Sequence, residues 1–237
     1  MRLIGIFGPS RVGKSTAARE FLEELSDSGC RAVVESFAAP LKDVVKRAMR
    51  VPGSKGDEGL KKSGDKFDFA RDLEINVLDS FLLKNGLPGL SNRDLAKLLQ
   101  AGVTTASSAY RWLMQFFGTD VVRQRDPAFW VRLMDSRLVK HLDSDVDIVV
   151  IDDGRFINEF ELVSRVWRGY TVGIVSGDAF RGAHESDITA QTVAEMCDAV
   201  FVSRRETIGK VVDSVKEWMR RCVRDMPEVR GRYQSNG

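Results

Sequence analysis

Gly8-Pro9-Ser10-Arg11-Val12-Gly13-Lys14-Ser15 fits the spacing G-x-x-x-x-G-K-S, and Thr16 follows it. Glycines at the first and sixth positions let the backbone curl until successive N–H groups point inward at phosphate oxygens. A lysine at the seventh reaches the outer phosphates, and the Ser15 hydroxyl suits Mg²⁺. The pattern has meaning only between a strand and a helix. Here the apolar run Leu3-Ile4-Gly5-Ile6-Phe7 precedes it and an amphipathic stretch follows. Such a loop binds a nucleoside triphosphate, without saying what is done with it.

A second group of candidates follows the run ending at Ile151, in Asp152-Asp153-Gly154-Arg155-Phe156-Ile157-Asn158-Glu159. Carboxylates at the C-terminal end of a parallel strand lie where open α/β sheets bind ligands. Asp153 is expected near the Mg²⁺ held by Ser15. If the backbone there stays extended, Asp153 and Arg155 share a face and the carboxylate holds the guanidinium. Phe37, Ala38 and Lys42 follow another predicted strand, with a ring suited to stacking on a base and a cation suited to a phosphate. Arg111 and Gln115 are four apart on a predicted helix, and so are neighbours on one face.

The elements that must position these residues are legible from periodicity. Five β-branched runs, 3–7, 32–37, 146–151, 171–175 and 199–202, alternate with helical patterns. The expected fold is therefore α/β: a phosphate-loop NTPase sandwich of three layers, α/β/α, around a five-stranded and mainly parallel sheet. Pro40 opens one helix. Others are expected at 109–122, 127–140 and 208–221. Between about 52 and 108 the strand signal disappears, and this part reads as a helical and loop insertion within a single domain 1–237. The residues after Pro227 read as tail.

At 237 residues the chain can bury one sizeable core, and its net charge of +2 argues against a dedicated nucleic-acid surface. Three cysteines without C-x-x-C spacing read as buried thiols, and two histidines cannot build a histidine-rich metal site. No apolar run has membrane-spanning length, and the first run reads as a core strand, not a signal peptide. A cytoplasmic location is expected.

The strings GPSRVGKST, SFAAPLKD, YRWLMQFFGTD, DPAFWVRL, DDGRFINE and HESD occur in the order found in the deoxynucleoside monophosphate kinases of tailed bacteriophages. The chain resembles that family over nearly its whole length, least so at 52–108. The resemblance implies transfer of the γ-phosphoryl of ATP, with Mg²⁺, to a deoxynucleoside monophosphate, in a host cytoplasm and for phage DNA synthesis. It implies that Lys42, Arg111 and Arg155 hold the acceptor phosphate. Gln115, Gly118, Thr119 and Trp130 would line the acceptor nucleoside, with Phe37, Ala38 and Glu159 beside it and Arg71 as a further phosphate cation. Lys14, Arg155, Asp153 and Arg111 would carry the catalysis. A homodimer is compatible with the family, and neither a membrane nor a specific nucleic acid is expected as partner. In HESD the last acid, Asp187, stands where the family pattern has Glu.

A phosphoryl-transfer site must also exclude water. The stretch 53–64 and the loop 177–184, with Arg181 as a lid cation, are the expected closing segments. Competing readings are another small-molecule kinase resembling dephospho-coenzyme A kinase, which leaves the LMQFFGTD string unexplained, and a non-catalytic nucleotide-binding accessory protein. A GTPase switch would need N-K-x-D, which the chain lacks.

Overall fold

The computed structural model describes residues 1–51, 59–60, 63–178 and 185–225, with the side chains of 185 and 186 left aside. Most of the stretch 53–64, the lid candidate Arg181, His184 and the tail lie outside the described residues. The chain forms two compact units, Met1–Phe37 together with Val131–Gly237, and Ala38–Trp130.

In the first unit five strands, β1 (Arg2–Phe7), β2 (Ala32–Glu35), β3 (Ile148–Gly154), β4 (Tyr170–Ser176) and β5 (Ala199–Ser203), form one sheet in the order β2-β3-β1-β4-β5. Every pairing is parallel. Strand alternation divides their side chains between two cores. Ile4, Ile6, Ile148, Val150, Val172 and Ile174 pack with Ala17, Ala18 and Phe21 of α1 (Lys14–Asp27), and with Val211, Val215 and Met219 of the last helix (Ile208–Asp225). Leu3, Phe7, Val149 and Ile151 face the other way, against Met134, Leu138, Phe160 and Val163. Helices therefore cover both faces, which a parallel sheet requires and which gives the expected three layers.

The strand boundaries differ from the sequence reading in an instructive place. The third run was expected to end at Ile151, because aspartates are poor strand formers. Instead β3 continues through Asp152 and Asp153 to Gly154, and the Gly8 N–H donates to the Gly154 carbonyl at 3.1 Å. The register Gly5↔Ile151 then Phe7↔Gly154 gives β3 one residue more than β1, so a bulge falls at the two aspartates.

The second unit is helical: α2 (Ala39–Ala48), α3 (Phe69–Asp72), α4 (Ile75–Lys84), α5 (Asn92–Leu99) and α6 (Ala106–Gln115). The stretch expected as an insertion lies within it. The single helix expected at 109–122 is α-helical only to Gln115, and Phe116–Arg123 continues as a π-helix. Widened turns leave carbonyls that side chains can take. The Trp130 indole N–H donates to the Gly118 carbonyl at 3.1 Å, and Arg125 Nη1 to the Val121 carbonyl at 3.0 Å. Gly118 is needed there because a Cβ would press on Leu41.

Candidate functional site

The loop between β1 and α1 is held by its glycines. Gly8 has φ +146°, and a Cβ on it would run into the Ile174 carbonyl of β4, so no other residue lets the loop pass. Arg11 (φ +64°) and Gly13 (φ +103°) also take left-handed conformations, turning the backbone back before α1. That helix begins at Lys14 with no side-chain cap and no acidic residue in its first turn. Its leading N–H groups are therefore not answered by its own side chains, the usual condition for an anion site.

Lys14 is buried, 7% exposed, and its Nζ donates to the carbonyls of Gly8 and Pro9, both at 2.6 Å. Burial, then the neighbouring charge of Arg155, pull its pKa down to about 7, against the opposing pull of Asp153, Asp152 and Asp187. Ser15 is exposed at the start of the helix and Thr16 half-buried. Val12 is buried in the core beneath the loop.

The bulge in β3 redirects both carboxyl and guanidinium. Ile151 packs on the Phe7 side of the sheet, and a Cβ on Gly154 would also overlap the Phe7 ring. Residues three apart do not share a face in a regular strand, so the parity changes between them. The expected Asp153–Arg155 pairing gives way accordingly. Asp153 accepts from the Ser36 hydroxyl at 2.5 Å and from the Phe37 N–H at 2.8 Å, fastening the end of β2. Arg155 turns to the loop, donating from Nη2 to Ser10 Oγ at 2.8 Å and from Nη1 to Asp187 at 3.2 Å. Its backbone N–H donates to Glu159 Oε2 at 2.8 Å, and the N–H of Phe156 donates to the same oxygen at 3.1 Å. Glu159 is 2% exposed, so it fixes the turn that presents Arg155.

Asp187, named in the sequence only as the last acid of HESD and given no role in the site, makes contacts of its own here. Its Oδ1 accepts the backbone N–H of Ser10 at 2.9 Å as well as the Arg155 guanidinium. The HESD string was the only signal for it. A second missed group supports Ser36: Arg137 donates to the Ser36 carbonyl at 2.8 Å and pairs with Glu35 at 3.1 Å, and His141 Nε2 lies 2.8 Å from the same carboxylate.

The second unit holds the remaining candidates. Arg111 and Gln115 are both exposed on α6, one turn apart as expected, and Lys42 is half-buried on α2. Thr119 is half-buried in the π-helix. Ala38 precedes α2 and accepts the Lys42 N–H through its carbonyl at 2.8 Å. Arg71 is exposed and forms a two-armed pair with Asp72 at 2.7 and 2.8 Å, which holds the Asp72 carboxyl down at about 2. Trp130 is buried, stacked beside Phe81, and Phe37 in the first unit is 3% exposed within the core. Both rings are thus taken up by packing within their own units.

Residues 99–190 match the family of deoxynucleotide monophosphate kinases. The match spans well under half of the chain, and the likeness is of that stretch to that family. The matched stretch includes Arg111, Gln115, Gly118, Thr119, Trp130, Asp153, Arg155, Glu159 and Asp187, but not the loop 8–15. No curated protein matches the chain. Among the described residues no helix is long and apolar enough to cross a membrane.

Proposed function

We propose that the protein transfers the γ-phosphoryl group of ATP to a deoxynucleoside 5′-monophosphate, giving the diphosphate. The observation that carries the donor half is the uncapped start of α1 beneath a glycine-shaped loop, with Lys14 bent over that loop. Loop N–H groups, the dipole of α1 and Lys14 together offer positive potential to a polyphosphate.

Mg²⁺ suits the donor set. Among the described residues no three His, Cys, Asp or Glu side chains gather as a cage. The ion would therefore draw mainly on phosphate oxygens, with Ser15 and Asp153 as the protein's share. When bound it would offset charge on the transferred group.

The acceptor falls to Lys42, Arg111 and Arg155, whose charges neutralise the monophosphate, with Arg71 as a further cation. Gln115, Gly118 and Thr119 contact the nucleoside, and Ala38 and Trp130 belong to the same unit. No strong base is needed, because the attacking oxygen belongs to an ionised phosphate and the transition state is loose. Arginine suits this task because its planar fork meets two phosphate oxygens at once. The resemblance to phage enzymes supports a setting in host cytoplasm, supplying deoxynucleotides for DNA synthesis.

A coupled assay of ADP release with ATP, Mg²⁺ and a panel of dTMP, dGMP, dCMP, dAMP and their ribose forms tests the reading. Turnover that depends on the monophosphate is the expected result. ADP release indifferent to every acceptor would overturn it in favour of an ATPase or a binding protein.

A further inference from the structure

The Ser10 N–H belongs to the loop that the proposed function gives to the donor phosphates, yet it already has an anionic partner. Asp187 Oδ1 accepts it at 2.9 Å, from a residue 177 positions away in sequence. The same oxygen takes Arg155 Nη1 at 3.2 Å, and the other arm of Arg155 reaches Ser10 Oγ at 2.8 Å. One carboxylate thus engages a backbone amide of the loop and a guanidinium together, as a phosphate oxygen would. Its side chain is 18% exposed, while Ser10 lies at the surface. Lys14 is also turned inward, onto the Gly8 and Pro9 carbonyls. Two of the loop's groups suited to anions, the Ser10 N–H and the Lys14 ammonium, are thus bonded within the protein itself.

We propose that Asp187 is a built-in competitor for the donor phosphates, setting the affinity of the loop for nucleotide. The inference rests on the reading of loop 8–15 as the donor site. The competition follows from charge and from donor count. A backbone N–H makes one strong hydrogen bond, and a carboxylate left beside an arriving polyphosphate repels it. Nucleotide binding therefore requires Asp187 to release Ser10 and share or surrender Arg155. A polyphosphate carries enough charge to do this, whereas a weakly charged anion does not. The consequence is a loop that stays closed to small monovalent anions and opens to nucleotide.

Calorimetric titration of the full chain with ATP and Mg²⁺ tests this in the parent, in Asp187→Asn and in Asp187→Ala, each checked by thermal melting. Both variants lack the competing charge, and both should bind ATP about twofold to tenfold more tightly, the range that the net loss of one hydrogen bond at the surface allows. Chloride or acetate in excess should weaken ATP binding more in the variants than in the parent. If folded variants bind ATP no more tightly than a parent that does bind it, Asp187 is not a competitor and the donor-site reading survives. If ATP binds to none of the three folded proteins, the donor-site reading fails and the competitor reading fails with it.

Discussion

Arg155, just beyond β3, donates from Nη2 to the hydroxyl of Ser10 at 2.8 Å, so the end of a central strand is joined to the loop that follows β1. The two residues stand 145 positions apart, and neighbouring parallel strands bring them together. The bulge at Asp152 and Asp153 decides which way the guanidinium leaves the sheet. Its hold on Ser10, and that of Glu159 on its backbone, make Arg155 a preset cation in place of a freely moving one.

Lys14→Ala should reduce turnover by about 100-fold or more, since it removes a donor aimed at developing negative charge. Steady-state rates with ATP and monophosphate, alongside a melting curve, check this. Turnover within threefold of the parent would remove Lys14 from the chemistry.

Arg111→Ala should raise the KM for the monophosphate by about tenfold, the cost of one charge-assisted contact, and leave ATP binding unchanged. Arg111 is exposed, so its melting temperature should stay with the parent's. A change confined to the KM for ATP would place Arg111 on the donor instead.

Gly154→Ala should destabilise the protein by roughly 1–3 kcal/mol, because the added methyl meets the Phe7 ring and the packed sheet cannot yield cheaply. Pairing it with Phe7→Leu should cost less than the sum of the two single changes. Denaturant midpoints of the four proteins measure the difference, and strict additivity would show that the ring is not the obstacle.

Removal of Mg²⁺ with EDTA should abolish transfer, and Ser15→Ala should raise the Mg²⁺ concentration needed for half-maximal rate. Titration of Mg²⁺ at fixed ATP reads both. An unchanged requirement in Ser15→Ala would exclude its hydroxyl from the ion's surroundings.

Cys197 should resist alkylation in the folded protein. Burial pushes its thiol up to about 12, so at pH 8 nearly all of it is the unreactive protonated form. Mass spectrometry after iodoacetamide treatment should find Cys197 modified only once denaturant is present. Rapid labelling of the native protein would contradict the raised pKa of this half-buried thiol.

Much of the fold is readable in the chain because its signals are local. The β-branched runs lie where the strands form, each within a few residues, and the inner strands β1, β3 and β4 are apolar over most of their length because they are buried on both faces. Loop 8–15 is readable because its glycines answer backbone angles that other residues avoid. The π-helix at Phe116–Arg123 was not readable. Its carbonyls depend on Arg125 and Trp130, and a 3.6-residue pattern cannot announce a wider turn. The HESD string drew attention to Asp187 but not to its partners, because Ser10 and Arg155 are far away in sequence.

By itself the sequence determined the parallel sheet, the phosphate-loop motif and the list of cations that a two-anion reaction would use, since composition and short spacing carry that information. Only the tertiary structure decided how the charged groups of the first unit pair. It gave Asp153 to the end of β2, turned Arg155 toward Ser10, and set the Asp187 carboxylate against the N–H of Ser10. The physical reason is the bulge. One extra residue in β3 reverses the alternation on which any prediction of facing side chains depends, and that residue is visible only in the register of β3 against β1.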